Sequence, residues 1–249
     1  MRCVLTRNPE PIPVLVYHQI DATPPKGQPF RSLVVSPAAF ARQMLLLKWL
    51  GYTGLSMSGL QPYLSGEKVG KVVGITFDDG YLNNLTHALP VLQRHGFSST
   101  CYAVSGLLGK TNLWDADIGI AQTPLMNESQ LQQWVAGGQE VGSHTQHHID
   151  LLDADDATCE TEIAQGKLAL EAVVNAPVTH FCYPYGRYTP RHAVMVGAQG
   201  FDTATTTERG RCHAGIRLLE LPRVPVLRST TLPVFWLKVA SRYEDRRRK

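Results

Sequence analysis

The chain has 249 residues, of which 43% are hydrophobic and 18% are charged, so it has enough apolar material for a folded core and is not disordered as a whole. The formal net charge of +3 is local, because the last nine residues hold five basic and two acidic side chains and the rest of the chain is neutral. A neutral body lacks the broad basic face of a nucleic-acid-binding protein, so we expect no nucleic-acid partner.

We interpret residues 1–240 as one domain and residues 241–249 as a basic C-terminal tail, which we expect to be a solvated, frayed end. No apolar stretch of leader length follows the first charged residues, and no run of residues approaches a transmembrane segment in length. The sequence therefore predicts a cytoplasmic protein without a transmembrane segment. A leader missing from this sequence would instead make the protein periplasmic or secreted. The oligomeric state is left open.

Short apolar runs rich in β-branched residues alternate with longer helical patterns, which is typical of βαβ units and a parallel sheet. In chain order, the pattern predicts a strand at 14–17, a helix from Ser36-Pro37 to Leu50-Gly51, a strand at 72–77, a helix carrying Leu85, Leu89 and Leu92 that ends at Gly96, a strand at 99–104, a helix capped by Asn127, a strand at 140–143, a helix from about 155 to 174, and strands at 179–183, 202–206 and 216–221. No flexible linker divides this series. We therefore predict a single α/β domain, a barrel or a close relative.

Polar side chains follow four of these strands directly. His18, Asp78 and His144 each come at the end of an apolar run, and a Tyr-Pro-Tyr-Gly segment at 183–186 follows another. The carboxyl ends of parallel strands face one rim of an α/β barrel, and that rim carries the chemistry. These groups, far apart in sequence, are therefore expected to converge on one pocket.

The first group is the pair of aspartates in Thr76-Phe77-Asp78-Asp79-Gly80. Adjacent side chains of a strand point to opposite faces, so both carboxylates can serve one site only if the strand ends there. Gly80 supplies a flexible backbone for such a turn. The alternative is an ordinary Asp-Gly turn with two solvated carboxylates, and the pentapeptide alone does not decide between them.

The second group is the histidine-rich segment after the strand at 140–143. His144 and His148 are four residues apart, so one helical turn places both on the same face. Two imidazoles and a carboxylate such as Asp79 make an open zinc site with a position left for water. The alternative is a helix N-terminus that happens to be rich in histidine. We expect His147 to point off that face and to be a bystander, and the other histidines to be surface or core groups.

These residues resemble the polysaccharide deacetylase family, also called the NodB-homology or carbohydrate esterase family 4 proteins. The resemblance spans roughly residues 13–226. The first two motifs below, in this order and spacing, are specific to the family, whereas the last two are weak alone. The motifs are Thr76-Phe77-Asp78-Asp79-Gly80, Ser143-His144-Thr145 with His148 and Leu151, Phe181-Cys182-Tyr183-Pro184-Tyr185-Gly186, residues 200–210, and Leu221-Pro222-Arg223-Val224.

The resemblance implies a distorted barrel of about seven βα units, in agreement with the strand count. It implies that Asp79, His144 and His148 bind a divalent metal, usually zinc, with cobalt, nickel or iron as alternatives. Asp78 is then the general base that takes a proton from the activated water. The backbone N–H of Tyr185 helps to hold the oxyanion of the tetrahedral intermediate.

Two positions depart from the family pattern. Many members have an arginine that orients the catalytic base where this chain has Cys182, and Arg223 is a candidate replacement by its position. The late Leu-x-His segment that carries the general acid is also missing, because residues 226–228 contain no histidine. His18 is a candidate for that proton donor, since the poly-N-acetylglucosamine branch of the family resembles this chain in having its histidine on the first strand. The alternative is a plain strand-end histidine.

The leading hypothesis is therefore a metal-dependent hydrolase that removes N-acetyl groups from an N-acetylglucosamine-containing glycan. Alternatives are hydrolysis of another C–N bond, as in the allantoinases and cyclic imidases that resemble the family, and a glycan-binding homologue without activity. We expect the loop at 106–124 to help set specificity. A glycan enzyme needs an open groove with aromatic platforms, and the candidate stacking residues are Tyr81, Trp114, Tyr183 and Tyr188.

Overall fold

The computed structural model describes residues 10–213 and 215–247. The first nine residues of the predicted domain, and Arg248 and Lys249 of the predicted tail, lie outside these ranges. The strands are β1 Val14–Tyr17, β2 Gln19–Ile20, β3 Val34–Val35, β4 Thr53–Leu55, β5 Val72–Phe77, β6 Thr100–Ala103, β7 Glu140–Ser143, β8 His180–Cys182, β9 Thr203–Arg209 and β10 Leu221–Pro225. The helices are α1 Pro37–Trp49, α2 Met57–Leu64, α3 Leu89–His95, α4 Glu128–Ala136, α5 Asp156–Val174, α6 Pro190–Ala198 and α7 Leu232–Ala240.

Seven parallel strands form a closed barrel. The ring runs β1-β10-β9-β8-β7-β6-β5 and closes where β1 pairs with β5, from Val14 opposite Gly74 to Tyr17 opposite Phe77. β4 is added outside the ring against the first half of β5, and β2 and β3 form a separate two-stranded ribbon. The predicted α/β barrel with about seven strand–helix steps is thus confirmed.

The strand predicted at 216–221 is wrong, because the last barrel strand, β10, begins only at Leu221. Residues 217–220 instead form a turn, closed by the bond from the N–H of Glu220 to the carbonyl of Arg217. β10 contains two prolines and a buried arginine, and such residues disfavour a central strand in a sequence pattern. The sequence analysis also did not predict strand β4 or helices α2, α6 and α7.

The strands divide their side chains between two environments. On β5, Val73, Ile75 and Phe77 point outward and pack with the helices in the main hydrophobic core. The alternate positions point into the barrel, as the two-residue period of a strand requires. The barrel interior therefore holds Thr76, Cys182 and Arg223, all fully or almost fully buried, directly below the rim on which the strands end.

The described part of the C-terminal tail is folded against the barrel, so the expectation of a frayed end is wrong for residues 241–247. Glu244 is completely buried and forms ion pairs with Arg209 and Lys238. Asp245 pairs with Arg211, whose side chain is also mostly buried. Within the ranges that the structure describes, no helix is both long enough and apolar enough to cross a membrane.

Candidate active site

The two aspartates after β5 reach one cavity because the chain turns at the second of them. Asp78 continues the strand, and its N–H donates to the carbonyl of Tyr17 over 3.0 Å. Asp79 has a φ of 74°, in the left-handed region that non-glycine residues rarely adopt, and Gly80 follows with a φ of 79°. The carboxylates of Asp78 and Asp79 consequently both line the cavity on the barrel rim.

Asp79, His144 and His148 form a cluster suited to a metal ion. The Nε2 atoms of both histidines lie 3.5 Å from Oδ1 of Asp79. Ligands about 2.1 Å from a tetrahedral zinc are separated by roughly 3.4 Å, so the observed spacing fits a shared ion. The Nδ1–H of His144 donates to the Cys182 carbonyl over 2.7 Å, which leaves its Nε2 as the atom with a free lone pair. The donor set therefore matches the predicted metal site in residues and geometry.

The segment that carries the two histidines is not a helical turn, so this detail of the sequence analysis is wrong. Thr145 and His148 have φ values of 64° and 60°, which a right-handed helix excludes. The N–H of His148 instead donates to Oγ1 of Thr145 over 3.0 Å. A compact left-handed turn, rather than helix periodicity, brings both imidazoles to Asp79.

Helix α5 packs against this turn, and the sequence analysis did not predict that contact. The buried carboxylate of Glu162 accepts hydrogen bonds from the N–H groups of Gln146 and His147, at 3.0 and 2.8 Å, and pairs with Nδ1 of His147 at 2.6 Å. One turn later, a Cβ on Gly166 would lie 2.8 Å from the backbone of Thr145. His147 is therefore an anchor of the turn rather than the bystander that we expected.

Aromatic rings fix the orientation of His148. Trp114 stacks on its imidazole, with ring centroids 4.4 Å apart, and Tyr185 meets it edge-on at 4.6 Å. Nδ1 of His148 is buried and has no hydrogen-bond partner among the described residues, so packing takes the place of the usual hydrogen bond behind a metal ligand. Trp114 also lines the cavity, and its stacking on a sugar ring stays a prediction.

Asp78 is held by Arg223 inside the barrel. Both guanidinium NH2 groups donate to the two carboxylate oxygens over 2.7 Å, and both residues are almost fully buried. The remaining donors of Arg223 go to the Thr206 carbonyl at 2.9 Å, to Oγ1 of Thr76 and to Sγ of Cys182. Burial alone would raise the pKa of the Asp78 carboxyl, but the charge and hydrogen bonds of Arg223 outweigh it and hold this pKa below its usual value.

The environment also sets the protonation of the cluster. Burial would raise the pKa of Asp79, but the adjacent imidazoles of His144 and His148 outweigh it and lower this pKa. Burial lowers the pKa of His148, which favours the neutral imidazole that a metal requires. The pKa of His144 is raised in spite of its burial, because Cys182 and Asp79 stabilise the imidazolium. A metal bound there would displace that proton.

Most of the other predicted site residues line the same cavity. His18, Tyr81, Tyr183 and Tyr185 all do so. Tyr188 does not line it, because its ring stacks on the outer side of Tyr183 at 4.5 Å and its phenol donates to Glu220.

Phe30 and Asp115 are among the cavity residues that the sequence analysis missed. Phe30 is half-exposed, and its φ of 52° is strained for a bulky side chain. Asp115 lies in the predicted specificity loop and is mostly buried. Burial, and then the nearby Asp79, raise its pKa. Neither residue follows a strand, so neither carries the positional signal that marked the others.

Comparisons with known proteins confirm the family resemblance of the sequence. The family model described as "Polysaccharide deacetylase" matches residues 65–204, more than half of the chain. The chain is 28% identical over 228 residues to the polysaccharide deacetylase homologue YxkH of Bacillus subtilis (strain 168), with 90% of this chain and 74% of that protein covered.

Solved structures are similar over nearly the whole chain. The Streptococcus pyogenes deacetylase PplD, in complex with acetate, is 27% identical with a TM-score of 0.81, covering 93% of this chain and 99% of that chain. IcaB of Ammonifex degensii is 26% identical with a TM-score of 0.79, covering 92% and 97%. BC0361, a polysaccharide deacetylase of Bacillus cereus, is 30% identical with a TM-score of 0.76, covering 92% and 69%. With its barrel, its motifs and these relatives, the chain belongs to the polysaccharide deacetylase family.

Proposed function

We propose that this protein is a metal-dependent de-N-acetylase that hydrolyses the N-acetyl groups of an N-acetylglucosamine-containing glycan, releasing acetate and a free amine. The observation that carries the proposal is the side-by-side placement of two differently held carboxylates. Asp79 lies between two imidazoles, and Asp78 is locked by an arginine. One carboxylate is thus suited to bind a metal and the other to accept a proton, within a single cavity.

Asp79, His144 and His148 would hold the metal, for which zinc is the first candidate and cobalt, nickel and iron are alternatives. When bound, a divalent metal supplies Lewis-acid activation of water and polarisation of the amide carbonyl, both of which a poor electrophile such as an N-acetyl group needs. The three donors leave room for water and substrate, as in other open sites.

Three groups of the chain would move or stabilise charge during the reaction. Asp78 accepts a proton from the attacking water, and Arg223 keeps its carboxylate ionised and correctly oriented. His18, across the cavity, donates a proton to the amine nitrogen as the C–N bond breaks. The N–H of Tyr185 donates to the carbonyl oxygen as it gains negative charge. Acetate and the free amine are the products.

The shape of the cavity supports a glycan over a small amide. Its wall carries half-exposed aromatic rings, Phe30 and Tyr185, that can stack on the faces of sugar rings. Two surface grooves also adjoin it, one beside Gly186 and Thr207 and the other beside Trp114 and Tyr185. A chain of sugars can therefore extend beyond the reacting unit, as a polymer requires.

The test is acetate release from β-1,4- and β-1,6-linked N-acetylglucosamine oligomers by the zinc- or cobalt-loaded protein, run beside Asp78→Asn. We expect release by the wild type alone, with metal content unchanged in the variant, because Asp78 is not a ligand. His148→Ala should instead lose the metal. Loss of metal from Asp78→Asn would reverse our assignment of base and ligand. Release of no acetate by metal-loaded wild type from either oligomer would refute a neutral N-acetylglucosamine polymer as the substrate.

A further inference from the structure

A second depression on the surface, here called the arginine groove, adjoins the catalytic cavity. Gly186 and Thr207 line both, so the groove begins on the far side of these two residues. Its walls carry four arginines, together with Tyr188 and Glu208. The arginines are Arg187, Arg209, Arg246 and Arg247.

Strand β9 runs from the barrel interior to the groove, from the buried Thr205 through the exposed Thr207 to Arg209. The strand is irregular here, because Thr205 lies opposite Leu221 of β10 and Arg209 lies opposite Arg223. At 3.3 Å per residue of β10, Arg209 therefore lies roughly 7 Å beyond the level of Thr205. A glycan with its reacting sugar in the cavity would therefore present its neighbouring unit to the groove.

The four arginines differ in how their charge is compensated. Arg187 pairs with Asp150 and, at 3.9 Å, with Asp153, and Arg209 pairs with Glu244 at 2.8 Å. Arg246 and Arg247 form no ion pair with any of the residues that the structure describes. Their two exposed charges are thus available to a ligand.

These two arginines are held in place although they lie near the chain end. The preceding Asp245 accepts from the backbone N–H and the guanidinium of Arg211, at 2.9 and 2.7 Å. Glu244 is completely buried beside Lys238. The guanidinium of Arg247 lies 4.1 Å from the centroid of the Tyr243 ring, which leaves its N–H edge free to donate.

We propose that the arginine groove binds an anionic group, a carboxylate or a phosphate, carried by the unit next to the N-acetylated sugar of the substrate. Guanidinium groups match the planar, two-oxygen face of these anions and bind it with paired hydrogen bonds. This inference rests on the proposed function and makes it more specific, because the preferred substrate becomes an acidic glycan or a phosphate-linked sugar rather than a neutral homopolymer.

The experiment measures binding without turnover, using the full-length, zinc-loaded Asp78→Asn protein and isothermal titration calorimetry. The carboxylate probe is a tetrasaccharide of alternating glucuronate and N-acetylglucosamine. The phosphate probe is uridine diphosphate N-acetylglucosamine, and the neutral reference is a tetramer of β-1,4-linked N-acetylglucosamine. We expect at least one anionic probe to bind more tightly than the neutral tetramer, and this preference to weaken as salt is raised. The anionic probe that binds more tightly shows whether the groove recognises a carboxylate or a phosphate.

The groove is then tested by Arg246→Gln combined with Arg247→Gln. We expect this pair of changes to reduce the anionic-to-neutral affinity ratio by roughly 5- to 30-fold, as two partly exposed charged contacts allow. Arg242→Gln is the matched control, because Arg242 is an exposed arginine of the same segment that does not line the groove. It should leave the ratio unchanged, and neither variant should alter the melting temperature.

Equal affinity for all three probes, or an unchanged ratio in the double variant, would overturn the inference. Acetate release by the wild type from neutral oligomers separates the two proposals. Release without any preference for an anionic probe refutes only the role of the groove. A preference for anionic probes without release from any N-acetylated probe refutes the proposed function instead.

Discussion

The ion pair of Asp78 with Arg223 gives a quantitative test of the site. Replacing Arg223 with Met keeps most of the side-chain volume but leaves the Asp78 carboxylate buried without its cation. Breaking a buried pair in this way costs about 3–5 kcal/mol, since the remaining charge has lost its partner in a medium of low polarity. Asp78 and Arg223 are 3% and 1% exposed, so solvent cannot compensate for that loss.

We expect this cost to appear in urea unfolding of the metal-free protein, where metal binding does not contribute to stability. With a denaturant slope of about 3 kcal/mol/M, a loss of 4 kcal/mol lowers the midpoint by roughly 1.3 M. The total stability of a domain is about 5–15 kcal/mol, so the variant should remain folded, though marginally if the parent is near the lower limit. Arg223→Lys keeps the charge but not the paired geometry, so its urea midpoint should lie between those of the wild type and Arg223→Met.

The double variant Asp78→Asn with Arg223→Met measures the coupling energy between the two side chains. Because it removes both charges, we expect it to be more stable than Arg223→Met alone, with a coupling energy of about 1–3 kcal/mol. If Arg223→Met lowered the free energy of unfolding by less than about 1 kcal/mol, or if the two changes were simply additive, Asp78 would not be the buried, arginine-bound carboxylate that we describe.

Three further predictions concern the metal turn, the proton donor and the tail. Glu162→Gln should weaken zinc affinity about 10- to 100-fold, measured by chelator competition, while Glu160→Gln, on the exposed face of the same helix, should not. His18→Ala should lower kcat by roughly 10²–10⁴ at unchanged metal content, and an unaltered kcat would place the proton donor elsewhere. Burial alone would raise the pKa of Glu244, but Arg209 and Lys238 outweigh it and hold this pKa below its usual value. The ionised carboxylate therefore stabilises the fold above about pH 4.3, and this contribution is lost at lower pH. In urea titrations, Glu244→Gln should destabilise the protein at pH 7 but much less at pH 3.

The residues that sequence reasoning brought together share one property. Asp78, His144 and Tyr183 each end a strand, and the parallel barrel carries all strand ends to one rim. Hydrophobic periodicity alone therefore predicts their convergence, without knowledge of any distance. Arg223 also lies on a strand, but β10 itself was misplaced, so only the family resemblance pointed to this arginine.

The parts that were missed depend on contacts that no periodicity encodes. The turn from His144 to His148 has the spacing of a helix, yet its backbone is fixed by left-handed residues and by Glu162, fourteen residues beyond the last histidine. Phe30 lies in a loop between β2 and β3, and Asp115 lies in the 3₁₀ helix Leu113–Ile118. The segment of Asp115 is held by local hydrogen bonds, such as the one from the N–H of Thr123 to Oδ1 of the buried Asn112. Loop side chains enter a site according to the folded path of the backbone, which spacing along the chain does not specify.

The position of Cys182 shows how a change of residue can leave the chemistry in place. Strands β8 and β10 are separated by β9, and inward-pointing side chains from alternate strands of a barrel meet in its interior. Arg223 enters the interior from β10 and passes the Sγ of Cys182 at 3.2 Å to reach Asp78. A second arginine at position 182 would bring a like charge into that same buried space, where Asp78 is already paired with Arg223. Cysteine is small and uncharged as a thiol, so it leaves that space to Arg223. Cys182 and Arg223 therefore share one buried space, and an arginine introduced at position 182 should be tolerated only when Arg223 is replaced by a neutral residue.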